Sequence, residues 1–107
     1  MEPEPALLFD VLTPLGFRVR VTLERWQLIT TVKHPVMAGH DAVVKATLEN
    51  PEQIRQSRSD PHVLLFYRAE GSSRWVCAVA KRADDQGFLI TANPTDAIKE
   101  GTPLWPK

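Results

Sequence analysis

Three histidines, His34, His40 and His62, could ligate a metal ion or assist a nucleophile in this chain of 107 residues. His34 and His40 are separated by Pro35 and share no helical face, and no HExxH or zinc-type cysteine spacing occurs. No Gly-x-Ser-x-Gly elbow supports a Ser–His–Asp triad. The five glycines form no phosphate-binding loop. The sequence therefore predicts no metal site and no cofactor, and it disfavours nucleotide hydrolysis.

A second group of polar residues stands at the ends of apolar segments. Lys33 and His34 end a helical pattern, where Lys33 would complement the helix dipole and His34 would cap the last carbonyls. Considered alone, this structural interpretation is favoured over a functional one. The other members are ordinarily solvated strand edges or turn formers: Arg55, Arg58, Arg68, Lys81, Thr91, Asn93 and Thr95.

Composition bounds the class of protein. Hydrophobic residues make up 43% of the chain and charged residues 24%, which excludes a disordered protein. Thirteen basic and thirteen acidic residues cancel, which disfavours a general attraction to nucleic acid or membranes but allows a local basic patch. The N-terminal segment is acidic, unlike a signal peptide, and no apolar run reaches the roughly 18 residues of a membrane helix. Cys77 lies in an apolar run and predicts a buried, reduced thiol, so a cytoplasmic protein without membrane contact is expected.

The N-terminal half predicts a β-hairpin followed by two helices. Two apolar segments, 7–13 and the alternating 17–22, flank a Pro-Leu-Gly turn signal. Thr22 would cap a helix that ends at His34, and the apolar stripe of that helix would be Leu23, Trp26, Ile29 and Val32. A second helix is predicted over about 39–48, with core positions at Val43, Val44, Thr47 and Leu48.

The C-terminal half predicts strands at 63–68, 75–81 and 87–92, and a short edge strand at 53–57. Their apolar runs lack polar alternation, as in central strands covered on both faces. The fold class is thus α+β: two N-terminal helices, preceded by the hairpin, pack on a four- or five-stranded antiparallel sheet. Residues 1–6 are expected to be a disordered tail and residues 7–107 a single domain. Trp105 is expected to pin the C-terminal segment onto the body.

Several short motifs also follow one another in a distinctive order. They are Trp26-x-x-Ile29, Lys33-His34-Pro35, Leu48-x-x-Pro51-x-x-Ile54, Tyr67-Arg68, Val79-Ala80-Lys81, the segment 87–92, Thr95-Asp96-x-Ile98-Lys99-x-Gly101 and Trp105. This order resembles small bacterial and phage-associated proteins of the barnase–EndoU–colicin–RelE (BECR) nuclease superfamily. The resemblance covers roughly residues 8–105 and rests on the ordered set, since no single motif is specific.

The resemblance implies a compact α+β fold and metal-independent cleavage of RNA, in which the 2′-hydroxyl attacks the adjacent phosphate. By matching positions, His34 would act as acid or base and Thr91 would contact the phosphate, while Arg58, Arg68 and Lys81 would stabilise charge. The remaining substrate-binding candidates are Lys33, Tyr67, Asn93 and Thr95. Related sequences often have an aromatic residue where this chain has Asn93, so that Tyr67 or a tryptophan would have to stack the base.

Two functions therefore stand open at the level of sequence. The first is a toxin-like endoribonuclease with an RNA substrate and a small antitoxin-like protein partner, in which cations such as Arg18, Arg20 and Arg55 would converge with the site. The alternative is a non-catalytic protein- or RNA-binding module of the same fold. In that alternative His34 would be a helix cap and Thr91 an ordinary strand residue.

Overall fold

The computed structural model describes residues 6–106, and its centre is a seven-stranded mixed sheet with two α-helices. The predicted tail, apart from Ala6, lies outside the described residues. The elements, in chain order, are β1 (Leu7–Leu12), β2 (Arg18–Thr22), α1 (Leu23–Leu28), a π-helical turn (Ile29–Lys33), a 3-10 turn (Pro35–Met37), α2 (Asp41–Glu49), β3 (Gln53–Gln56), β4 (Val63–Glu70), β5 (Arg74–Ala83), β6 (Gln86–Thr95) and β7 (Thr102–Trp105).

The sheet is larger than the four or five antiparallel strands expected, although the α+β class is confirmed. Its strand order is β1-β2-β6-β5-β4-β3-β7. The N-terminal hairpin joins the main sheet because β2 pairs in parallel with β6, with Arg20 opposite Phe88. The strand predicted at 53–57 exists but is not an edge, since β7 pairs along its outer side.

Both ends of the helical region follow the local sequence. Thr22 caps α1 by accepting a hydrogen bond from the Arg25 main-chain N–H at 3.1 Å. The π-helical turn ends at His34, as the following Pro35 predicts. In α2 the predicted core positions are confirmed: Val44, Thr47 and Leu48 are buried and Val43 is half-buried.

The apolar stripe predicted for α1 is wrong at its two ends. Trp26 and Ile29 are buried, but Leu23 and Val32 are 41% and 70% exposed. A spacing of three residues advances about 300° around a helix of 3.6 residues per turn. Three such steps place Leu23 and Val32 on opposite sides of an ideal helix, so one stripe cannot bury both.

The two faces of the sheet differ in cover. The helices pack on one face around the main core, whose buried sheet residues include Val19, Phe66, Ala78, Ala80 and Leu89. The other face, here called the open face, carries a small cluster of Leu65, Tyr67 and Cys77, against which Ile98 packs. Strands β4 and β5 are therefore apolar on both sides, as their runs predict. Trp105 packs against the main core, which confirms the expectation for it.

Candidate functional site

Strand β6 presents three of the sequence-predicted site residues on the open face. Thr91, Asn93 and Thr95 pair with Val79, Cys77 and Trp75 respectively. Cys77 is part of the open-face cluster, and Val79 and Trp75 pack against it. Side chains of directly paired residues in a sheet lie on the same face. The three polar residues therefore form a line along β6 on the side away from the helices.

A β-bulge determines this orientation of Thr91. Leu89 is fully buried in the main core, and in a regular strand a residue two positions later would share its face. The pairing shifts between Val79 and Ala80, so that Ile90 is an extra residue in β6. One extra residue reverses the alternation, and Thr91 consequently faces away from Leu89.

A pocket of about 420 Å³ opens next to this line of residues. Three predicted substrate-binding residues, Tyr67, Asn93 and Thr95, contribute to its wall. The rest of the wall combines an apolar floor with a polar rim and consists of Leu65, Cys77, Val79, Asp96, Ala97, Lys99 and Glu100. Ligand pockets are usually lined mainly by apolar side chains, whereas the lining of this pocket is more polar than apolar and includes the charged residues Asp96, Lys99 and Glu100.

The floor of the pocket is electrically neutral. Burial raises the pKa of the Cys77 thiol to about 12, and it raises the pKa of the Tyr67 hydroxyl above its ordinary value. Both groups therefore keep their protons at neutral pH. Cys77 is a free, buried cysteine, as predicted. Tyr67 is only 3% exposed, so its ring forms part of the floor and does not offer a face for stacking a base.

The segment that carries Lys33 and His34 lies beside β6. The Lys33 ammonium group donates a hydrogen bond to the main-chain oxygen of Ile90 at 3.2 Å. His34 is half-buried, and its main-chain N–H bonds to the Ile29 oxygen at 2.7 Å. Lys33 thus bonds to the strand residue immediately before Thr91, and this bond connects the segment that carries His34 to β6.

The Thr91 hydroxyl oxygen is buried and has no hydrogen-bond partner among the described residues. Most buried polar atoms in native proteins are paired, because an unpaired one costs free energy. An exception therefore requires an explanation, such as strain, a catalytic role, or an ordered water or ion.

The remaining candidates divide between the two faces. Lys81 is on the open face, and its ammonium nitrogen is 3.5 Å from an Asp60 carboxylate oxygen. Arg58 is exposed between β3 and β4. Arg68 pairs with Val76 on the helix-covered side and donates a hydrogen bond to the Asn50 main-chain oxygen at 2.7 Å. The sheet therefore separates Arg68 from Thr91, and the two do not form a common site.

Sequence reasoning did not single out Phe88, although it is 46% exposed on the open face. Its neighbours in the pairing are Arg20 on β2 and Lys81 on β5. One signal was present in the sequence: Phe88 and Leu89 are adjacent and apolar within a strand, so that only one of them can face the main core.

Among residues 6–106, no three histidine, cysteine or acidic residues cluster closely enough to hold a metal ion. None of the helices in this part of the chain has the length and apolar character required to cross a membrane. Comparison with known proteins found no family model, no curated protein and no solved structure with significant similarity to the chain.

Proposed function

We propose that this protein is a metal-independent endoribonuclease that cleaves RNA on the open face beside Thr91. One observation carries the proposal: the hydrogen bond from Lys33 to the Ile90 main-chain oxygen holds the His34 segment next to the strand that presents Thr91. In this proposal the His34 imidazole and the Lys33 ammonium group act together with the Thr91 hydroxyl, which has no partner among the described residues.

Cleavage of RNA by 2′-hydroxyl attack requires the protein to supply a base, an acid and positive charge. A base takes the proton of the 2′-hydroxyl, an acid protonates the leaving 5′-oxygen, and positive charge stabilises the phosphorane that forms between these steps. His34 is the proposed proton carrier, since imidazole exchanges protons near neutral pH. Thr91 would donate its hydroxyl to a phosphate oxygen, and Lys33 and Lys81 would supply charge. Tyr67 and Cys77 are poor proton carriers because burial raises their pKa values.

The pocket provides a place for a nucleotide next to the reacting phosphate. Asn93 and Thr95 both line the pocket. Asn93 is two residues from Thr91, and the strand rise is roughly 3.3 Å per residue. In this proposal the apolar floor takes a base or sugar and the amide of Asn93 supplies polar contacts. Arg58 would add long-range attraction for the RNA backbone. A small antitoxin-like protein would inhibit the enzyme by covering the open face.

The test is incubation of purified protein with total RNA in the presence of EDTA. Wild-type protein is expected to produce fragments that end in a cyclic phosphate, and His34→Ala is expected to abolish them. His40→Ala is the matched control, because His40 is also half-buried and the only hydrogen bond of its ring among the described residues joins Nδ1 to the Ala38 main-chain oxygen. Equal cleavage by wild type and His34→Ala would refute the assignment of His34.

A second candidate function is a non-catalytic RNA- or protein-binding module. The observation that favours it concerns two of the expected catalytic cations: Arg68 is bonded to Asn50 behind the sheet, and Lys81 is paired with Asp60. These contacts reduce the positive charge available to a phosphorane. RNA that is bound but left intact, with and without added ribosomes, would support this candidate over the nuclease.

A further inference from the structure

We propose that Phe88, flanked by Arg20 and Lys81, forms a stacking subsite for an unpaired base of single-stranded RNA. The subsite lies on the same face of β6 as Thr91. This inference deepens the proposed function and rests on it for the identity of the ligand. It also supplies the stacking aromatic that the buried Tyr67 ring does not offer.

Strand pairing places the three side chains next to one another. Phe88 lies opposite Arg20 in the parallel pair and opposite Lys81 in the antiparallel pair. Neighbouring strands are about 4.8 Å apart, so both cations flank the aromatic residue at close range. All three residues are exposed, whereas the adjacent Val19, Ala80 and Leu89 are fully buried on the other face.

The position of Phe88, exposed in the middle of a sheet, indicates a binding role more strongly than an isolated exposed leucine would. Its neighbours on the helix side complete the main core, so its own burial is not needed for that core. Aromatic side chains on open sheets are sequence-tolerant platforms for unpaired bases, because every base has a π-face. Cations beside such a platform bind the phosphates that connect the bases.

The charges around Phe88 favour an anionic ligand. Arg20 makes no ion pair within 4.0 Å among residues 6–106, although Asp10 lies opposite it on β1, and Lys81 has only the 3.5 Å contact with Asp60. The third cation nearby, Arg18, is occupied by Asp10 at 2.8 Å. Two incompletely neutralised cations on either side of an aromatic ring match a nucleotide better than an acidic peptide, which offers no planar group to stack.

The subsite is placed to work with the proposed cleavage centre. Phe88, Thr91 and Asn93 follow one another along the open face of β6. The bulge at Ile90 gives Phe88 and Thr91 partners that are two residues apart on β5. At roughly 3.3 Å per residue, the main chain of Thr91 is therefore about 7 Å from that of Phe88 and about 7 Å from that of Asn93. A strand of RNA that runs along β6 would place one nucleotide on Phe88, a phosphate at Thr91 and the next nucleotide in the pocket.

The experiment measures binding separately from chemistry. A fluorescent, unstructured ten-nucleotide RNA with 2′-O-methyl groups cannot be cleaved by 2′-hydroxyl attack, so its affinity for wild-type protein is measured by anisotropy. Phe88→Ala is expected to raise Kd roughly 5- to 150-fold, which corresponds to the usual contribution of one stacked base. Phe88→Trp is expected to keep the affinity, and Leu28→Ala, at an equally exposed helix position, is the control.

The contributions of Arg20 and Lys81 are measured separately, from the salt dependence of RNA binding. Arg20→Gln and Lys81→Gln are each expected to reduce the slope of log affinity against log salt by about 0.7, the value for one phosphate contact on single-stranded nucleic acid. Lys45→Gln, at an exposed position of α2, should leave the slope unchanged. Thermal melting of each variant checks that it is folded.

The possible results separate this inference from the proposed function. Cleavage of natural RNA by a folded Phe88→Ala variant with unchanged affinity would overturn the subsite and leave the nuclease intact. Binding that depends on Phe88, without any cleavage of natural RNA, would support the subsite and refute the nuclease. No binding of the oligonucleotide by wild-type protein would overturn the subsite, and capture of a protein partner through Phe88 in its place would assign this surface to protein recognition.

Discussion

Replacing Thr91 by valine should make the protein more stable and, at the same time, inactive. The Thr91 hydroxyl is buried without a partner among the described residues, so its removal takes away a polar group that folding leaves unpaired. Valine has nearly the same shape and keeps the β-branched side chain that strands favour. The nuclease proposal, in contrast, requires that hydroxyl as a donor to the phosphate. One substitution thus has opposite effects on stability and on activity.

The size of the stability effect follows from the burial. An unsatisfied buried polar group costs about 1–3 kcal/mol, and the Thr91 side chain as a whole is only half-buried, which favours the lower end. We expect a gain of about 1 kcal/mol in the free energy of unfolding. For a domain of this size, that gain raises Tm by roughly 4–8 °C.

The assay is thermal and urea denaturation together with cleavage of total RNA in EDTA. Thr13→Val is the matched control, because the buried Thr13 hydroxyl donates to the Phe17 main-chain oxygen at 2.9 Å. That variant loses a hydrogen bond and should be destabilised by about 1 kcal/mol with cleavage intact. A Thr91→Val protein destabilised as much as Thr13→Val would refute the view that its hydroxyl is unpaired. Full cleavage by Thr91→Val would refute its role at the phosphate.

Three further variants test other parts of the structure. Gly101→Ala should lower the free energy of unfolding by at least about 2 kcal/mol, because the glycine has φ +84° and a Cβ there would lie 2.7 Å from the Gln56 main-chain oxygen. Gly39→Ala is the control: its φ is +82° but the space around it is open, so urea denaturation should show a loss of only about 1 kcal/mol. The pKa of Cys77 is raised from 9.0 to about 12, so the unfolded chain loses the thiol proton first and stability falls as pH rises above about 9. Between pH 8 and pH 10, urea denaturation should show about 1 kcal/mol more loss for wild type than for Cys77→Ala, and equal losses would contradict the buried thiol. Arg68→Gln should lower the free energy of unfolding by about 1 kcal/mol through loss of the bond to Asn50, the residue after α2, while RNA cleavage by the folded variant stays at the wild-type rate.

The parts of the fold that depend on local chemistry could be predicted from the sequence. The alternating segment before Thr22 predicts the second strand of the hairpin, and the Thr22 hydroxyl predicts the cap of α1. His34 before Pro35 predicts the end of the first helical region. Each of these features is determined by a few neighbouring residues, so tertiary context has little opportunity to change it.

The parts that depend on distant pairing could not be predicted in the same way. The parallel alignment of β2 with β6 joins residues that are more than sixty positions apart, and neither strand carries a local signal for its partner. The same holds for β7, which covers the outer side of β3. The predicted sheet was therefore too small, although most of its strands were correctly located.

The candidate site depends on both kinds of information. The predicted strand 87–92 ends before Asn93 and Thr95, whereas β6 continues to Thr95. The direction of Thr91 relative to Leu89 depends on the bulge at Ile90. A regular strand would direct Thr91 into the main core and Phe88 to the opposite side, so that the two could never contact one ligand. The bulge places both on the open face while Leu89 stays buried. A single extra residue in β6 thus aligns the proposed stacking subsite, the unpaired hydroxyl and the pocket along one strand, which is the arrangement that an extended RNA requires.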